Sequence, residues 1–229
     1  RLFGPEGDTL RYLGFHTAAY IFNLDEVKQI ARNNYVMVSV VDRQIGFYTM
    51  HDGRQTVYFI WRDAEAERAE DIKAKIAQKF GDMDWLVPDV IAAAPKSEEI
   101  YYDIVAQIER KNWHKGRAVL LGDAAYAVSL LAGQGASLAI GGAYVLAHEL
   151  EHHADVAAAL RAYEAVVRPS VEKKQAAGRR TADWFVPSSA FRVWLRATVF
   201  NLSSLPLVPR IITSFVASSP KGVFFGEGR

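Results

Sequence analysis

Apolar positions recur along this chain in two rhythms, and the change from one to the other divides it. Over residues 14–22, 35–41, 45–50 and 55–61, β-branched and aromatic side chains crowd together and alternate. This predicts strands of an antiparallel sheet. Between the last two lies His51-Asp52-Gly53-Arg54, where Asp-Gly supplies the positive φ angles of a tight hairpin. The rhythm then lengthens: Ile72, Ile76 and Phe80 repeat at helical spacing while Glu65, Glu67, Arg68 and Glu70 are polar. A helix over 64–80 capped by Asp63 is expected. A short helix opening at Pro88 should stop before Pro95, and a strand should follow over 100–108. Further on, the pattern predicts a strand over 118–121, a long Ala-rich helix after Gly135, and more helix over 160–175 with Pro169 as a kink or break. The side chains of Trp184, Phe185, Phe191, Trp194, Leu195 and Phe200 should mostly be core. Residues 205–216 are interrupted by Pro206 and Pro209.

Composition narrows the function classes. Lys plus Arg number 27 against 26 for Asp plus Glu, so the chain has no field suited to a polyanion and nucleic acid is not an expected partner. There is no cysteine, which removes disulfide frameworks and thiolate metal sites. No apolar segment is long enough to predict a transmembrane span, and the cytoplasm is the default location. An interfacial helix using Arg192, Arg196 and Arg210 ranks below simple packing, because the apolar pattern there is short and broken.

The candidate chemistry concentrates in residues 116–142. An apolar strand runs toward Asp123, and Gly133-Gln134-Gly135 then opens the Ala-rich helix. Gly133 and Gly135 let a ligand approach backbone that a Cβ would shield, and a helix start offers unpaired N–H donors and partial positive charge. An electron-rich ligand suits such a place. The segment is not a dinucleotide fingerprint, since Leu138 occupies the third glycine's place and Asp155 alone is too little to mark a ribose site. The plainer alternative is a tight turn with Asp123 as a solvated cap.

Gly122-Asp123-Ala124-Ala125 followed by Gly133-Gln134-Gly135 resembles the flavin-contacting segment of the class A flavoprotein monooxygenases, the p-hydroxybenzoate hydroxylase family. Trp113-His114-Lys115-Gly116-Arg117 resembles that segment's lead-in, and Leu160-Arg161-Ala162-Tyr163-Glu164 with Arg168-Pro169 resembles a flavin-domain helix. Tyr126 stands where the family often has His, and Ser129-Leu130 where it usually has Pro. The resemblance implies a mixed α+β / α/β protein that binds FAD through Gly122, Asp123, Gly133, Gln134, Gly135 and Ala136. Asp123 would hold a ribityl hydroxyl, and the 133–136 backbone would face the pyrimidine end of the ring. It further implies reduction by NADH or NADPH and transfer of one oxygen atom from O2 to a small aromatic or polycyclic substrate.

On the same reading the chain divides into a substrate domain over 1–112, a flavin-contacting return segment over 113–178, and C-terminal helices over 179–229. The opening Arg1-Leu2-Phe3-Gly4-Pro5-Glu6-Gly7 resembles sequence that follows the first half of such enzymes, so a C-terminal portion is expected, partnered by an N-terminal FAD-binding half. Phe47 and Thr49 share a face of their strand, as do Tyr58 and Ile60 of theirs. They are either core or, as the resemblance implies, part of a substrate-facing wall. No side chain is nominated as acid or base.

One rival motif sits in the long helix. His148-Glu149-Leu150-Glu151-His152 matches the His-Glu-x-x-His pattern of zinc hydrolases, with His148 and His152 as ligands, Glu149 as base and Glu172 as one candidate third ligand. His153 adjoins the pair, and a helix C-terminus attracts imidazolium without any metal. Arg179 and Arg180 are a candidate phosphate contact or a solvated pair. A non-catalytic binding fragment is the remaining alternative.

Overall fold

A computed structural model describes residues 2–4, 9–32 and 34–202. Within it are β1 (Leu10–Phe22), α1 (Asp25–Ile30), β2 (Val36–Val40), β3 (Arg43–Thr49), β4 (Gln55–Arg62), α2 (Ile72–Phe80), α3 (Val87–Ala92), β5 (Tyr101–Ile108), β6 (His114–Lys115), β7 (Ala118–Val119), α4 (Asp123–Tyr126), α5 (Gly135–His152), α6 (Val156–Phe185) and α7 (Ala190–Leu202). The described residues form two compact units, one within 14–105 together with 183–196 and the other from 2–4, 9–13, 106–182 and 197–202. The mixed α+β class with an antiparallel sheet is as expected. Residues 183–196, expected among the C-terminal helices, group with the sheet.

In the sheet unit the strand order is β2-β3-β4-β1-β5. The hairpin forms at Asp52-Gly53: Met50 N–H donates to Arg54 O at 2.7 Å, Gly53 has φ +85°, and the Asp52 carboxylate holds the Arg54 N–H at 3.1 Å. Register decides which side chains share a face. Phe47 pairs with Val57 and Ile45 with Phe59, whereas Gly46 pairs with Tyr58 and Gln44 with Ile60. The first set joins Trp61, Ile72, Ile76, Phe80, Val87 and Val90 in the unit's core, so α2 and α3 cover that face.

The helix expected over 64–80 is shorter. It starts at Ile72, with Asp71 accepting from the Ala74 N–H at 3.1 Å. Asp63 instead pairs with Lys79 at 3.2 Å. Residues 63–71 stay irregular because the Glu65 carbonyl is engaged by His16 at 2.8 Å and the Ala69 N–H by the Tyr102 hydroxyl at 3.1 Å. His16 is buried, with its second ring nitrogen 2.7 Å from the same hydroxyl. Periodicity gave no hint of it.

The segment after α6 also departs from expectation. Phe191 and Trp194 are 66 % and 60 % exposed, and Trp184 and Leu195 are also exposed, because α7 turns Arg196 inward in their place. Arg196 is therefore unavailable to a lipid surface, and no described helix is long and apolar enough to cross a membrane. The Phe200 side chain, the 205–216 segment and Arg210 lie outside what is described.

In the other unit, α6 runs unbroken through Pro169 as a helix of 30 residues. Leu160, Tyr163, Val167 and Val171 are all buried along it, and this continuous packed stripe outweighs the one backbone bond that proline forgoes. The expected strand over 118–121 has ladder partners only at Ala118–Val119, which pair with Lys115 and His114. No other strand among the described residues flanks it.

Candidate functional site

Two elements present the glycine-rich motif. Gly122, with φ +62°, turns the chain into α4, and a Cβ there would come within 3.2 Å of the Ala139 side chain. Gly133 ends a short helical turn in the left-handed region at φ +61°, with open space where its Cβ would be. Gln134 then starts α5 with no side chain capping the first turn, so backbone donors there remain available. Asp123 is exposed, and its Oδ1 lies 3.6 Å from where a Cβ on Gly135 would sit. The fold thus brings Gly122, Asp123 and Gly135 together at one helix start, with Gly133 and Gln134 leading into it and Ala136 in its exposed first turn. The open cradle, the bare N–H groups and the Asp123 carboxylate fit a polyhydroxylated chain joined to a flat ring, as in the ribityl and flavin parts of FAD.

The motif's neighbours hold it in place. The Glu164 carboxylate on α6 accepts from the Trp113 N–H at 3.1 Å and lies 3.2 Å from His114 Nδ1. Arg168 pairs with Glu164, donates to the carbonyls of Arg110 and Lys111, and stacks 4.6 Å over the Trp113 ring. Gln107 and Gln175 are both buried. Gln107 donates to Val128 O at 3.1 Å and Gln175 to Ala127 O at 3.1 Å, pinning the loop that leads to Gly133. Arg179 is not a phosphate contact: it binds Gln107 and Glu109, each at 2.9 Å.

Tyr126, the departure from the family's histidine, is buried against Trp113 with ring centroids 4.6 Å apart. Its hydroxyl lies 2.1 Å from the position of a Cβ on Gly142, so a tyrosine here requires that glycine. Burial raises the pKa of the neighbouring Tyr163, as does its hydrogen bond to Tyr126. Ser129, in place of proline, adopts φ +78°, ψ 153°, and its buried hydroxyl has no partner among the described residues. Asp155 is a helix cap, accepting from the Ala157 and Ala158 N–H groups at 3.3 and 3.0 Å.

The histidine motif does not assemble as a metal centre. The rings of His148 and His152 stack 4.1 Å apart, and His152 Nδ1 turns 2.8 Å to the His148 carbonyl. Glu149 sits between His148 and His153, at 3.4 and 3.3 Å, and Glu172 pairs with Arg168 at 3.7 Å. Among the described residues no group of three His, Cys, Asp or Glu side chains could hold a metal. The matching spacing reflects a helix C-terminus rich in imidazoles.

The four side chains offered as a substrate wall separate. Phe47 is wholly buried in the helix-covered core, because its register puts it opposite Val57. Tyr58 and Ile60 lie on the other face, and Ile60 is also buried. Thr49 borders an open cavity of about 350 Å³ with Tyr35, Tyr48, Arg32, Asn34 and Ala31. The contacts of Tyr35 and Gln44 with the Tyr58 hydroxyl join residues that alternation within one strand does not connect.

A family model described as FAD binding domain matches residues 15–176. A flavin-dependent monooxygenase from an unknown prokaryotic organism is 30% identical over 197 residues, covering 76% of this chain and 51% of its own length. An FAD-dependent monooxygenase of Sarocladium schorii is 41% identical over 107 residues, 46% of this chain and 25% of its own. Among solved structures, a tetracycline destructase superposes with a TM-score of 0.73 at 24% identity, covering 95% of this chain and 57% of that one. Klebsiella pneumoniae HpxO, complexed with FAD and uric acid, gives 0.72 at 24% identity, over 90% and 53%. The chain spans about half the length of the relative it matches over most of its residues.

Proposed function

The chain belongs to the FAD binding domain family, and on that premise we propose that the whole protein is a flavin-dependent monooxygenase, with NADH or NADPH as reductant and a small aromatic or polycyclic molecule as substrate. The observation that carries the site assignment is the Asp123 carboxylate beside Gly135 at the uncapped start of α5. FAD, when bound and reduced, supplies the activation of O2 and the transfer of one oxygen atom.

What this chain supplies is binding and environment. Asp123 would accept a hydrogen bond from a ribityl hydroxyl, and the backbone of Gly133, Gln134, Gly135 and Ala136 would face the pyrimidine end of the ring. The α5 start would lend positive potential to that end. The open sheet face, with the aromatic rings of Tyr35, Tyr48 and Tyr58, offers the flat apolar surface that an aromatic substrate needs.

The adenine end of FAD must be held by a strand, a Gly-x-Gly-x-x-Gly turn and a helix supplied by the rest of a longer protein. Two features support that partner. On α5, Ile140 and Tyr144 are 73 % and 58 % exposed, and β7 has a strand edge free of any neighbour among the described residues. A cytoplasmic location accords with the composition and with the reductant.

The test is Asp123→Ala in the complete protein. Losing one charge-assisted hydrogen bond of about 1.5 to 3 kcal/mol lowers FAD affinity by about one to two decades. NAD(P)H oxidation should fall with FAD occupancy. Unchanged FAD affinity would overturn the assignment.

A further inference from the structure

On the open face of the sheet unit, a buried cation organises a row of neutral polar groups. Arg196 is 4 % exposed. It donates to Gln44 Oε1 at 2.8 Å, to the carbonyls of Trp184 and Phe185 at 3.0 and 2.5 Å, and to the Ser39 hydroxyl. None of these partners is a carboxylate. Burial lowers its pKa, and so isolated a charge is retained at a cost in stability.

Its consequence lies one residue further on. An arginine has donors and no acceptor, so Gln44 must turn its oxygen to Arg196 and its NH2 outward, where Nε2 donates to the Tyr58 oxygen at 2.8 Å. The Tyr58 hydroxyl also bonds to that of Tyr35. Burial holds both phenols above their ordinary pKa, so both carry a proton. The single bond between them consumes one, whichever phenol donates it. With Gln44 facing them as a donor, the second proton has no acceptor within the row.

The surroundings suit an external acceptor. The Tyr58 ring lies across Gly46, where a Cβ would come within 2.3 Å of Cε1, so β3 gives up a side chain to let the ring lie flat. Tyr35, 54 % exposed, stacks on it at 6.0 Å and 13°. Tyr35 and Tyr48 border the cavity that Thr49 also lines, and the buried Thr49 hydroxyl has no partner among the described residues.

We propose that Tyr35 and Tyr58 form a specificity-determining subsite donating a hydrogen bond to a carbonyl or oxyanion oxygen on an aromatic ligand, with Arg196 as the positioning residue that, through Gln44, keeps the pair a net donor. Only the identification of that ligand as the substrate rests on the monooxygenase reading.

The experiment measures fluorescence titrations of the complete protein, prepared with FAD present, with acetylnaphthalene and with its isopropenyl isostere, in which C=CH2 replaces C=O. The ketone should bind about tenfold more tightly, the usual yield of one hydrogen bond. The Tyr35→Phe/Tyr58→Phe double variant should bring the ratio to about one. Arg196→Met should do nearly the same without touching the probe, because Gln44 is then free to turn its oxygen to Tyr58 and absorb the spare proton. Arg196→Lys, which still only donates, should restore the preference.

A merely structural role for Arg196 would weaken both probes together and leave their ratio intact, which overturns the positioning claim. Equal affinities in the unmodified protein, or a preference that survives the double variant, overturn the subsite. FAD content and NADPH oxidation are read on the same samples: their absence with the preference intact sinks the monooxygenase reading and leaves the subsite standing.

Discussion

The two units bury their apolar side chains differently. In the sheet unit, Phe59, Trp61, Ile76 and Phe80 are enclosed between the strands and their own helices. The flavin-motif unit buries Leu138 and Val145 on one side of α5 while Ile140 and Tyr144 stand exposed on the same helix. The first unit completes its core from its own residues; the second has a core on one side of its central helix only. A helix that is apolar on more than one side is a buried helix, so the exposed side of α5 is where the proposed N-terminal half would pack.

The sharpest way to break this comparison is to truncate a residue in each unit. Phe80→Ala should lower the unfolding free energy by about 3–5 kcal/mol, as for other buried aromatic truncations, measured by urea denaturation of this chain. Ile140→Ala in the same chain should change it by less than about 0.5 kcal/mol, as for exposed positions. In the complete protein the Ile140 effect should grow; comparable costs in the isolated chain would erase the contrast.

A smaller effect probes the packed side of the flavin-motif unit. Gly142→Ala places a methyl group 2.1 Å from the Tyr126 hydroxyl and should cost about 1–3 kcal/mol by overpacking. Combining it with Tyr126→Phe, which removes that oxygen, should recover part of the loss. Strict additivity in the double variant would show that the two residues do not share the space.

Ser129 offers a gain instead of a loss. Its φ of +78° with ψ of 153° belongs to a region that glycine alone occupies freely. Ser129→Gly should raise stability by about 1 kcal/mol, seen as a higher denaturation midpoint with an unchanged slope. The smallest expected effect is that of His148→Ala/His152→Ala. Both residues lie at the far end of α5 from the cradle, so FAD affinity should stay within about twofold of the parent; a loss comparable to that of Asp123→Ala would reopen the histidine cluster as part of the site.

Much of this was legible in order of residues alone. Four strands, the Asp52-Gly53 hairpin and the long helix after Gly135 follow from local patterning, and the glycines at 122, 133 and 135 pointed to the turns that open α4 and α5 because backbone freedom at glycine is a local property. The helix start at 72 was misplaced because nothing local tells Asp63 from Asp71: the choice depends on His16 and Tyr102 taking up the backbone between them. Pro169 was read as a kink or break since its cost is local, whereas the packing that carries the helix through it is not.

The sequence by itself determined most of the elements and the family resemblance, because each rests on residues close together in the chain. Tertiary structure alone decided that Phe47 and Tyr58 face opposite ways and that Arg196 reaches Gln44 across 152 positions. Strand register fixes the first and a long-range contact the second, and a side chain's partners across a sheet leave no trace in its own neighbourhood of sequence.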